Sequence, residues 1–367
     1  MQIKLLYLTN ENIYAEGYTG IRKKIRGQLQ SFENVNINTY ILYNHNGLNI
    51  SLNKGKEMAK FVSFTKKEYF DFVFKLLKKE NISVLYVRYI MASYELIEFY
   101  KNIKENLDIK LIIDFPTYPY DNVFKDVEKI VLLNDKKYRN KIKQYADFSV
   151  NYDDYEKIYG INSLSIVNGI NLKKIPIKKT TKSKKFRMVC ISSLCRWHGF
   201  DRIIMGLYKY KKDNKECDVI FTIVGDGPES SFLQDLVLKY DLENEVSFCG
   251  NIEDENQLNE IFDNADIAIG ALALHRIGLY KGGAIKNQEY CARGIPFVLS
   301  AKDDHFSDNV DYIKYISEDD TDVSIEELIA FIDENFDENL QKEMRQYAES
   351  NFNWDYIMGD LIKKVKE

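Results

Sequence analysis

The sequence predicts an α/β protein with two doubly wound domains, each a parallel sheet covered by helices on both faces. Three observations indicate this class. Short apolar runs alternate from end to end with longer amphipathic segments, which is the pattern of buried parallel strands connected by helices. The ten apolar runs fall into two blocks of five, separated by a lysine-rich stretch. The 367 residues exceed one ordinary core and fit two domains of roughly 150–200 residues each.

The predicted strands are short and apolar. In the first block they are Ile3–Thr9, Val84–Tyr89, Lys110–Phe115, Asp147–Tyr152 and Leu164–Gly169. In the second block they are Arg187–Ser192, Asp218–Gly225, Glu245–Gly250, Asp266–Ala271 and Pro296–Ser300. Helical patterns lie between them, for example over 19–32 and 201–213. The lysine-rich stretch after Asn168-Gly169 contains a proline and is interpreted as an exposed linker, so the domains are predicted to span 1–170 and 171–351.

The charge distribution limits the partners that the chain can take. Residues 1–170 carry 25 Lys and Arg against 20 Asp and Glu, whereas residues 171–367 carry 26 against 36. The net charge of −5 argues against duplex nucleic acid. The mildly basic first half leaves contact with an anionic membrane surface open.

Neither the ends nor the cysteines of the chain suggest export or a metal centre. No stretch approaches the ~18 apolar residues that span a bilayer, and the first apolar run is too short for a secretory signal. A cytoplasmic location is therefore expected. The five cysteines contain no C-x-x-C pair and the four histidines are scattered, which predicts reduced thiols and no metal site.

Two glycine-rich turns in the second half indicate where a phosphate could bind. The predicted strand ending at Gly225 continues into Asp226-Gly227, and a second turn at Gly282-Gly283 leads into a predicted helix. Amide groups of Gly283, Ala284 and Ile285 at such a helix start favour anions, and Lys286 adds a positive charge. One turn further on, Glu289 could accept two hydrogen bonds from a ribose diol.

Segment by segment, the second half resembles the donor half of family 4 glycosyltransferases of GT-B fold. The resemblance rests on five segments in register: Asn168–Ile170, Val224–Glu229, Val246–Ile252, Ala265–Gly270 and Glu289–Val298. Four further segments are similar to a bacterial branch that builds surface polysaccharides: Tyr86–Tyr89, Asp114–Asp121, Trp197–Ile203 and Leu274–Leu279.

The resemblance implies two Rossmann-like domains facing each other across a cleft, with a C-terminal helix, 352–367, crossing back onto the first domain. It implies retaining transfer of a sugar from a nucleotide-diphosphate sugar to a glycan or lipid-linked acceptor, as in capsule or other surface-polysaccharide synthesis. The nucleotide sugar is a substrate, and neither a metal nor another cofactor is expected. Glu289 matches the glutamate that binds the ribose, and the segment containing Asn251 matches the one that reads the base.

Departures from the family's motif concern the donor side. Lys281 stands where an acid normally touches the donor sugar. Ser193 and His198 stand where the family places an arginine and a lysine around the diphosphate. Arg196 is a candidate to replace the missing charge, and His198 to donate a hydrogen bond or a proton as a catalytic group. His275 and Arg276 are further candidates for the diphosphate or the sugar, although they could equally form an ordinary surface loop.

In the first domain the predictions concern two places. Gly17 and Gly20 lie between the first predicted strand and the following helix, where bare backbone would admit a diphosphate or the transferred sugar. Asp114 ends a predicted strand and is a catalytic candidate that orients the acceptor hydroxyl or accepts its proton. The loop 116–119 could shape an acceptor pocket or only stiffen the turn.

Two rival functions remain open at this stage. A nucleotide-sugar epimerase on the same two-domain plan would act on the donor alone. A nucleotide-sugar-binding but inactive partner subunit is permitted by Lys281, Ser193 and the lack of a histidine in the first domain's acceptor region. A nicotinamide dehydrogenase is disfavoured, because the Gly225-x-Gly227 turn lacks the third glycine of the dinucleotide fingerprint.

Overall fold

The computed structural model divides the chain into two compact units. The first contains Ile21–Asn168 and Trp354–Glu367 together with the start of the chain, and the second contains Gly169–Asn353. The structure describes residues 2–13, 20–121, 129–179, 184–213, 217–308 and 310–367. In this part of the chain no helix is long and apolar enough to cross a membrane.

The first unit is a mixed sheet with helices on its faces. Its strands are β1 Lys4–Leu8, β2 Asn38–His45, β3 Leu48–Asn53, β4 Lys56–Val62, β5 Val84–Arg88, β6 Lys110–Asp114, β7 Phe148–Asn151, β8 Lys157–Ile158 and β9 Ile161–Ser165. Its first four helices are α1 Gly20–Asn34, α2 Lys66–Glu80, α3 Tyr94–Asn106 and α4 Lys129–Tyr138.

The strand order in this sheet is β4-β3-β2-β1-β5-β6-β7-β9-β8. The pairs from β2 through β1 to β9 are parallel, and the direction of winding changes between β1 and β5. Ligands of open α/β sheets bind at the carboxyl ends of the strands beside such a change of winding.

The sequence-based prediction missed β2, β3 and β4, which form two successive antiparallel hairpins. Their turns are the pairs Asn46-Gly47 and Lys54-Gly55, all four residues having positive φ. Such two-residue turns fit the right-handed twist of a hairpin. The Asn-Gly pair between apolar runs was therefore a usable signal.

The second unit is a fully parallel doubly wound sheet. Its strands are β10 Lys185–Ile191, β11 Asp218–Val224, β12 Val246–Phe248, β13 Ile267–Ile269, β14 Phe297–Leu299 and β15 Ile313–Tyr315. Its helices are α5 Phe200–Lys212, α6 Ser230–Lys239, α7 Glu255–Asp263, α8 Ile285–Arg293, α9 Ile325–Asn335 and α10 Glu338–Asn351. The order β12-β11-β10-β13-β14-β15 places its change of winding between β10 and β13. The predicted α/β class with two doubly wound units is confirmed.

The last two helices, α11 Trp354–Ile357 and α12 Gly359–Lys366, pack on the first unit. Trp354, Leu361 and Val365 are buried in the same apolar cluster as Phe32 of α1. A Cβ added to Gly27 of α1 would lie 2.2 Å from the Trp354 ring. Glycine is therefore required at position 27 for the close approach of this ring.

We expect Gly27→Ala to lower the free energy of unfolding of the first unit by about 1–3 kcal/mol, because overpacking displaces a buried ring. In an unobstructed helix the same change stabilises by about 0.5–1 kcal/mol. Gly359→Ala in α12 is the matched control, since a Cβ there meets nothing within 4 Å. Urea unfolding of both variants measures the difference, and an unchanged or raised midpoint for Gly27→Ala would contradict this packing.

Candidate functional site

The first turn of α8, in the second unit, follows the loop Gly282-Gly283, which is fixed by hydrogen bonds and close packing. Gly282 donates its N–H to the Lys302 carbonyl at 3.1 Å. A Cβ on Gly283 would lie 2.0 Å from His305 Nδ1, and that nitrogen is 2.8 Å from Asp303 Oδ1. The other Asp303 oxygen accepts from the Asn287 amide at 2.9 Å. The loop and the first turn of α8 are thus fixed by one buried carboxylate. Asn287 donates its N–H to the Ala284 carbonyl at 2.9 Å, whereas the N–H groups of Ile285 and Lys286 lie too early in the helix for an intrahelical acceptor.

Lys286, in the first turn of α8, meets the loop that follows β10. Its ammonium donates to Ser192 Oγ at 3.2 Å and lies 5.6 Å from the centroid of the Phe200 ring. His198 Nε2 lies 2.9 Å from the same Ser192 oxygen. Ser192, His198 and Lys286 therefore come together at the carboxyl end of β10, beside the change of winding.

One backbone contact assigns a tautomer to His198. The Cys195 backbone N–H, which can only donate, lies 3.3 Å from Nδ1. Nδ1 is therefore the acceptor and the proton sits on Nε2, which donates to Ser192 Oγ. Since Ser192 Oγ also accepts from Lys286, its own hydroxyl proton is left for a further acceptor.

Burial sets the protonation of both ionisable groups. It lowers the pKa of Lys286 to about 8, so the ammonium is cationic at neutral pH but titrates just above it. Burial and the nearby Lys286 charge lower the pKa of His198 to about 2. His198 is therefore a neutral hydrogen-bond donor in this structure and has no spare proton at physiological pH.

The neighbouring strand-to-helix turn supports the loop that carries Ser192. Gly225 has a φ of +125°, and a Cβ on it would lie 1.9 Å from the Ser192 carbonyl oxygen. A Cβ on Gly227 would lie 2.5 Å from the Leu194 carbonyl oxygen. The two glycines of the Gly-x-Gly turn thus let the loops after β10 and β11 lie against each other.

Glu289 lies one turn after Lys286 on α8 and is 5% exposed. Its neighbour Tyr290 is fully buried and accepts the Ile191 backbone N–H at 3.2 Å. This contact ties α8 to the end of β10. The helix ends at Gly294 with a φ of +67°. The ribose-binding role of Glu289 stays a prediction.

The loop after β13 carries His275 and Arg276, and its charges are paired. The Arg276 guanidinium donates to both Asp201 oxygens at 2.9 and 2.8 Å and to Asp320 at 2.7 Å. His275 Nε2 also lies 3.2 Å from Asp320. Arg276 further donates to the Arg196 carbonyl at 3.0 Å. In this structure Arg276 links the loop after β13 to Arg196, to Asp201 and to Asp320. Its role in binding the diphosphate remains a prediction.

The other predicted donor residues are placed as follows. Lys281 is exposed and its ammonium lies 2.8 Å from Asp304. Arg196 and Asn251 are exposed. Ala284 is the residue before α8, and Ile285 is the first residue of that helix. Gly20 is the first residue of α1, whereas Gly17 falls outside the described residues.

Asp114 ends β6 and is fully buried. Its Oδ2 lies 3.9 Å from Arg88 Nη1 and 3.5 Å from the hydroxyl oxygen of Tyr7, which donates to Gln28 at 2.9 Å. In this structure the carboxylate holds Arg88 and has no exposed oxygen. In the 116–119 loop, Tyr118 packs edge-on against Tyr155 and Tyr159.

Sequence reasoning missed Ser192, which links Lys286 to His198. The signal was weak, since one serine in a Ser192-Ser193 pair has no distinguishing spacing. Only the pairing of β10 with β11 and β13 brings it to the start of α8.

These features define an α/β protein with a cation, Lys286, and a hydroxyl, Ser192, at the start of helix α8 in its second unit. They lie beside the change of winding between β10 and β13. Residues 173–351, which include the whole sheet of the second unit, match the family model of glycosyl transferases group 1. This part of the chain is therefore similar to the group 1 glycosyl transferases. A comparison with curated proteins finds no match.

Solved structures share the fold over the full chain. A glycosyltransferase from Rickettsia africae ESF-5 aligns with a TM-score of 0.69 at 13% identity, covering 100% of this chain and 98% of that one. Anabaena Alr3699/HepE in complex with UDP aligns with 0.65 at 13%, covering 100% of both. The lipopolysaccharide outer core galactosyltransferase WaaB, in its apo form, aligns with 0.64 at 14%, covering 99% of both. The chain thus has the fold of GT-B glycosyltransferases.

Proposed function

We propose that this chain is a retaining, metal-independent glycosyltransferase that moves a sugar from a nucleotide-diphosphate sugar to a glycan or lipid-linked acceptor. The observation that carries the proposal is the contact between the Lys286 ammonium, in the first turn of α8, and the Ser192 hydroxyl at the carboxyl end of β10. Cations, hydroxyls and helix N-termini together are what a diphosphate requires.

The proposed chemistry is electrostatic. As the bond from the sugar to the diphosphate breaks, negative charge develops on the leaving oxygen, and preorganised donors stabilise that charge. Lys286 supplies the positive charge, and the Ser192 hydroxyl donates a hydrogen bond to the leaving oxygen. Neutral His198 orients Ser192 through their hydrogen bond. No carboxylate is assigned as a covalent nucleophile. The acceptor hydroxyl attacks from the face that the leaving group vacates, and its proton passes to the departing diphosphate oxygen.

Solved structures of the same fold support the proposed donor and pathway. HepE is solved with UDP and WaaB is a lipopolysaccharide galactosyltransferase, so we place this chain in bacterial surface-polysaccharide synthesis with a uridine diphosphate sugar as the first donor to test. A cytoplasmic enzyme working at the inner membrane surface fits a lipid-linked acceptor.

A binding panel tests the donor. Thermal unfolding is followed with UDP, GDP, CDP, ADP and dTDP and with their common sugar conjugates. A ligand at about 100 times its Kd adds about 2.7 kcal/mol to the stability. We expect one base to shift the midpoint, and no shift with any nucleotide would contradict the proposal.

A turnover assay distinguishes the proposed transferase from an epimerase and from an inactive partner subunit. Product formed only with an acceptor supports the transferase, whereas conversion of the donor without an acceptor would indicate the epimerase. Tight nucleotide binding without turnover on any acceptor would indicate the inactive partner subunit, which the neutral state of His198 and the Lys281–Asp304 pair leave open.

The affinity for the nucleoside diphosphate is expected to fall above pH 8. Burial lowers the pKa of Lys286 to about 8, and only its protonated form attracts the phosphates. The Kd should therefore change little between pH 7 and 7.5, where the terminal phosphate is largely ionised, and rise by up to about tenfold per pH unit above the pKa of Lys286. His198 adds no inflection in this range because its pKa is about 2. Calorimetric titrations at several pH values check this, and a flat profile up to pH 9.5 would contradict the role of Lys286.

A further inference from the structure

A cavity open to solvent lies in the first unit, at the carboxyl edge of its sheet. Its volume is about 470 Å³, within the range of roughly 300–1,000 Å³ that small-molecule sites occupy. Its lining includes Asn10, two residues after β1, and Ile90, two residues after β5. The cavity therefore adjoins the change of winding between these two strands, where open α/β sheets bind ligands.

The loop that carries Ile90 is held in place by a buried carboxylate. Asp135 of α4 is fully buried and accepts the Ala92 N–H and the Tyr89 hydroxyl, both at 2.6 Å. These two hydrogen bonds fix the chain on either side of Ile90 and Met91, which line the cavity. This wall is therefore formed before any ligand binds, which lowers the entropy cost of binding.

The lining also presents an aromatic ring to solvent on a fixed backbone. The Phe64 side chain is 89% exposed. Glu68 accepts the N–H groups of Phe64 and Thr65 at 2.9 and 3.3 Å, as part of the capping box of α2. Since the backbone of Phe64 is already ordered, its ring can pack against the apolar face of a ligand at little further cost.

A directed chain of hydrogen bonds ends in the cavity. The Gly47 backbone N–H, which can only donate, lies 3.1 Å from Asn44 Oδ1. This contact assigns the amide orientation, so that Asn44 donates to Asn49 Oδ1 at 2.9 Å and Asn49 donates to Ser63 Oγ at 3.1 Å. Because Ser63 accepts at the end of this chain, its hydroxyl proton can be donated to a ligand oxygen, and the chain strengthens that donor.

The cavity is not built for a charged ligand. Among the described residues that line it, Lys66 is the one charged side chain. Hydrogen bonds from its own backbone N–H and from Ser93, together with the charge of Lys66, lower the pKa of the Glu95 carboxyl at the start of α3. The carboxylate of Glu95 thus offsets the charge of Lys66. An aromatic ring, amides and a hydroxyl remain, and these favour a neutral polar ligand.

We propose that this cavity binds a neutral sugar unit of the acceptor glycan. A sugar ring has a face of C–H groups, which packs on Phe64, and a rim of hydroxyls, one of which accepts from Ser63. A wholly apolar ligand would bury the Ser63 hydroxyl without an acceptor, which is costly. The assignment to the acceptor rests on the proposed transferase function, whereas the binding of a neutral sugar does not.

The test applies the chain, without nucleotide, to an array of neutral and acidic bacterial oligosaccharides. We expect retention on neutral glycans that share one sugar unit, and calorimetry with the free oligosaccharide of the strongest spot then gives a Kd. Glycan binding without any nucleotide binding would contradict the transferase function alone. Nucleotide binding without any glycan binding would contradict the role of the cavity alone.

Two variants locate the glycan in the cavity. Phe64→Ala is expected to raise the Kd about tenfold, because an apolar contact is lost. Ser63→Ala should raise it about fivefold, the effect of one neutral hydrogen bond. Neither variant should change the unfolding midpoint or the affinity for the nucleoside diphosphate. The matched controls are Tyr356→Ala, an aromatic ring of α11 that is 72% exposed, and Val62→Ala, 58% exposed at the end of β4, and both should bind as the wild type does.

Three outcomes would overturn the proposal: no retention of any glycan, retention of acidic glycans only, or an unchanged Kd in both Phe64→Ala and Ser63→Ala. The last of these would place the bound glycan outside this cavity.

Discussion

Lys286→Met is expected to lower kcat/KM for sugar transfer by about a hundredfold or more while the protein stays folded. Removing one preorganised donor from an oxyanion site typically costs about 10²–10³ in rate. Methionine keeps the apolar stem of the lysine and removes a cation whose pKa burial has already lowered to about 8. The fold should therefore not be weakened.

The matched control is Lys239→Met, at the exposed end of α6 in the same unit, and it should retain full activity. Ser192→Ala, alone and combined with Lys286→Met, tests whether Ser192 and Lys286 act together. Because Ser192 accepts from Lys286 at 3.2 Å, the two substitutions act on one group, and their effects should be less than additive. A folded Lys286→Met variant with more than half of the wild-type kcat/KM would show that Lys286 does not bind the diphosphate during transfer.

Glu289→Ala is expected to weaken binding of the nucleoside diphosphate by about tenfold or more. A carboxylate that accepts a charge-assisted hydrogen bond from the ribose contributes about 1.5–3 kcal/mol. Glu289 lies on helix α8, whose first turn is anchored by the hydrogen bond from Asn287 to Asp303. This anchoring keeps the backbone of Glu289 in a fixed position before the ligand binds.

Glu289→Gln keeps the volume and one acceptor oxygen, so its loss should be smaller than that of the alanine variant. Glu260→Ala, on the exposed face of α7, is the control. Binding is measured by calorimetry and folding by circular dichroism. Equal affinity in a folded Glu289→Ala protein would refute the ribose assignment and leave α8 with a packing role there.

The fold was largely predictable because its strands are buried on both faces. The apolar runs at 3–9, 187–192 and 218–225 match strands β1, β10 and β11, since a strand covered on both sides needs no alternation. Strand β4 was missed because it is an edge strand with mostly exposed residues, whereas β2 and β3 are buried and their apolar runs around Asn46-Gly47 were a usable signal. The sequence of β4, KEMAKFV, resembles a surface segment more than a core strand.

The candidate site was predictable only where its residues are close in sequence. The glycine turn, Lys286 and Glu289 lie within one short segment, so their spacing on one helix could be inferred. Arg88 and Asp114 come from two strands, β5 and β6, that are separated by a helix in the sequence, and only the strand pairing joins them. For the same reason the carboxylate network of Arg276, which involves Asp201 and Asp320, could not be foreseen.

The most direct test of the diphosphate site compares two ligands on two proteins. The affinities of the cognate nucleoside diphosphate and of the corresponding nucleoside are measured by calorimetry at pH 7 for the wild type and for Lys286→Met. We expect the variant to lose at least tenfold in affinity for the diphosphate and nothing for the nucleoside, because only the phosphates meet the ammonium. Equal losses for both ligands, or none for either, would contradict the claim that Lys286 and the start of α8 bind the diphosphate.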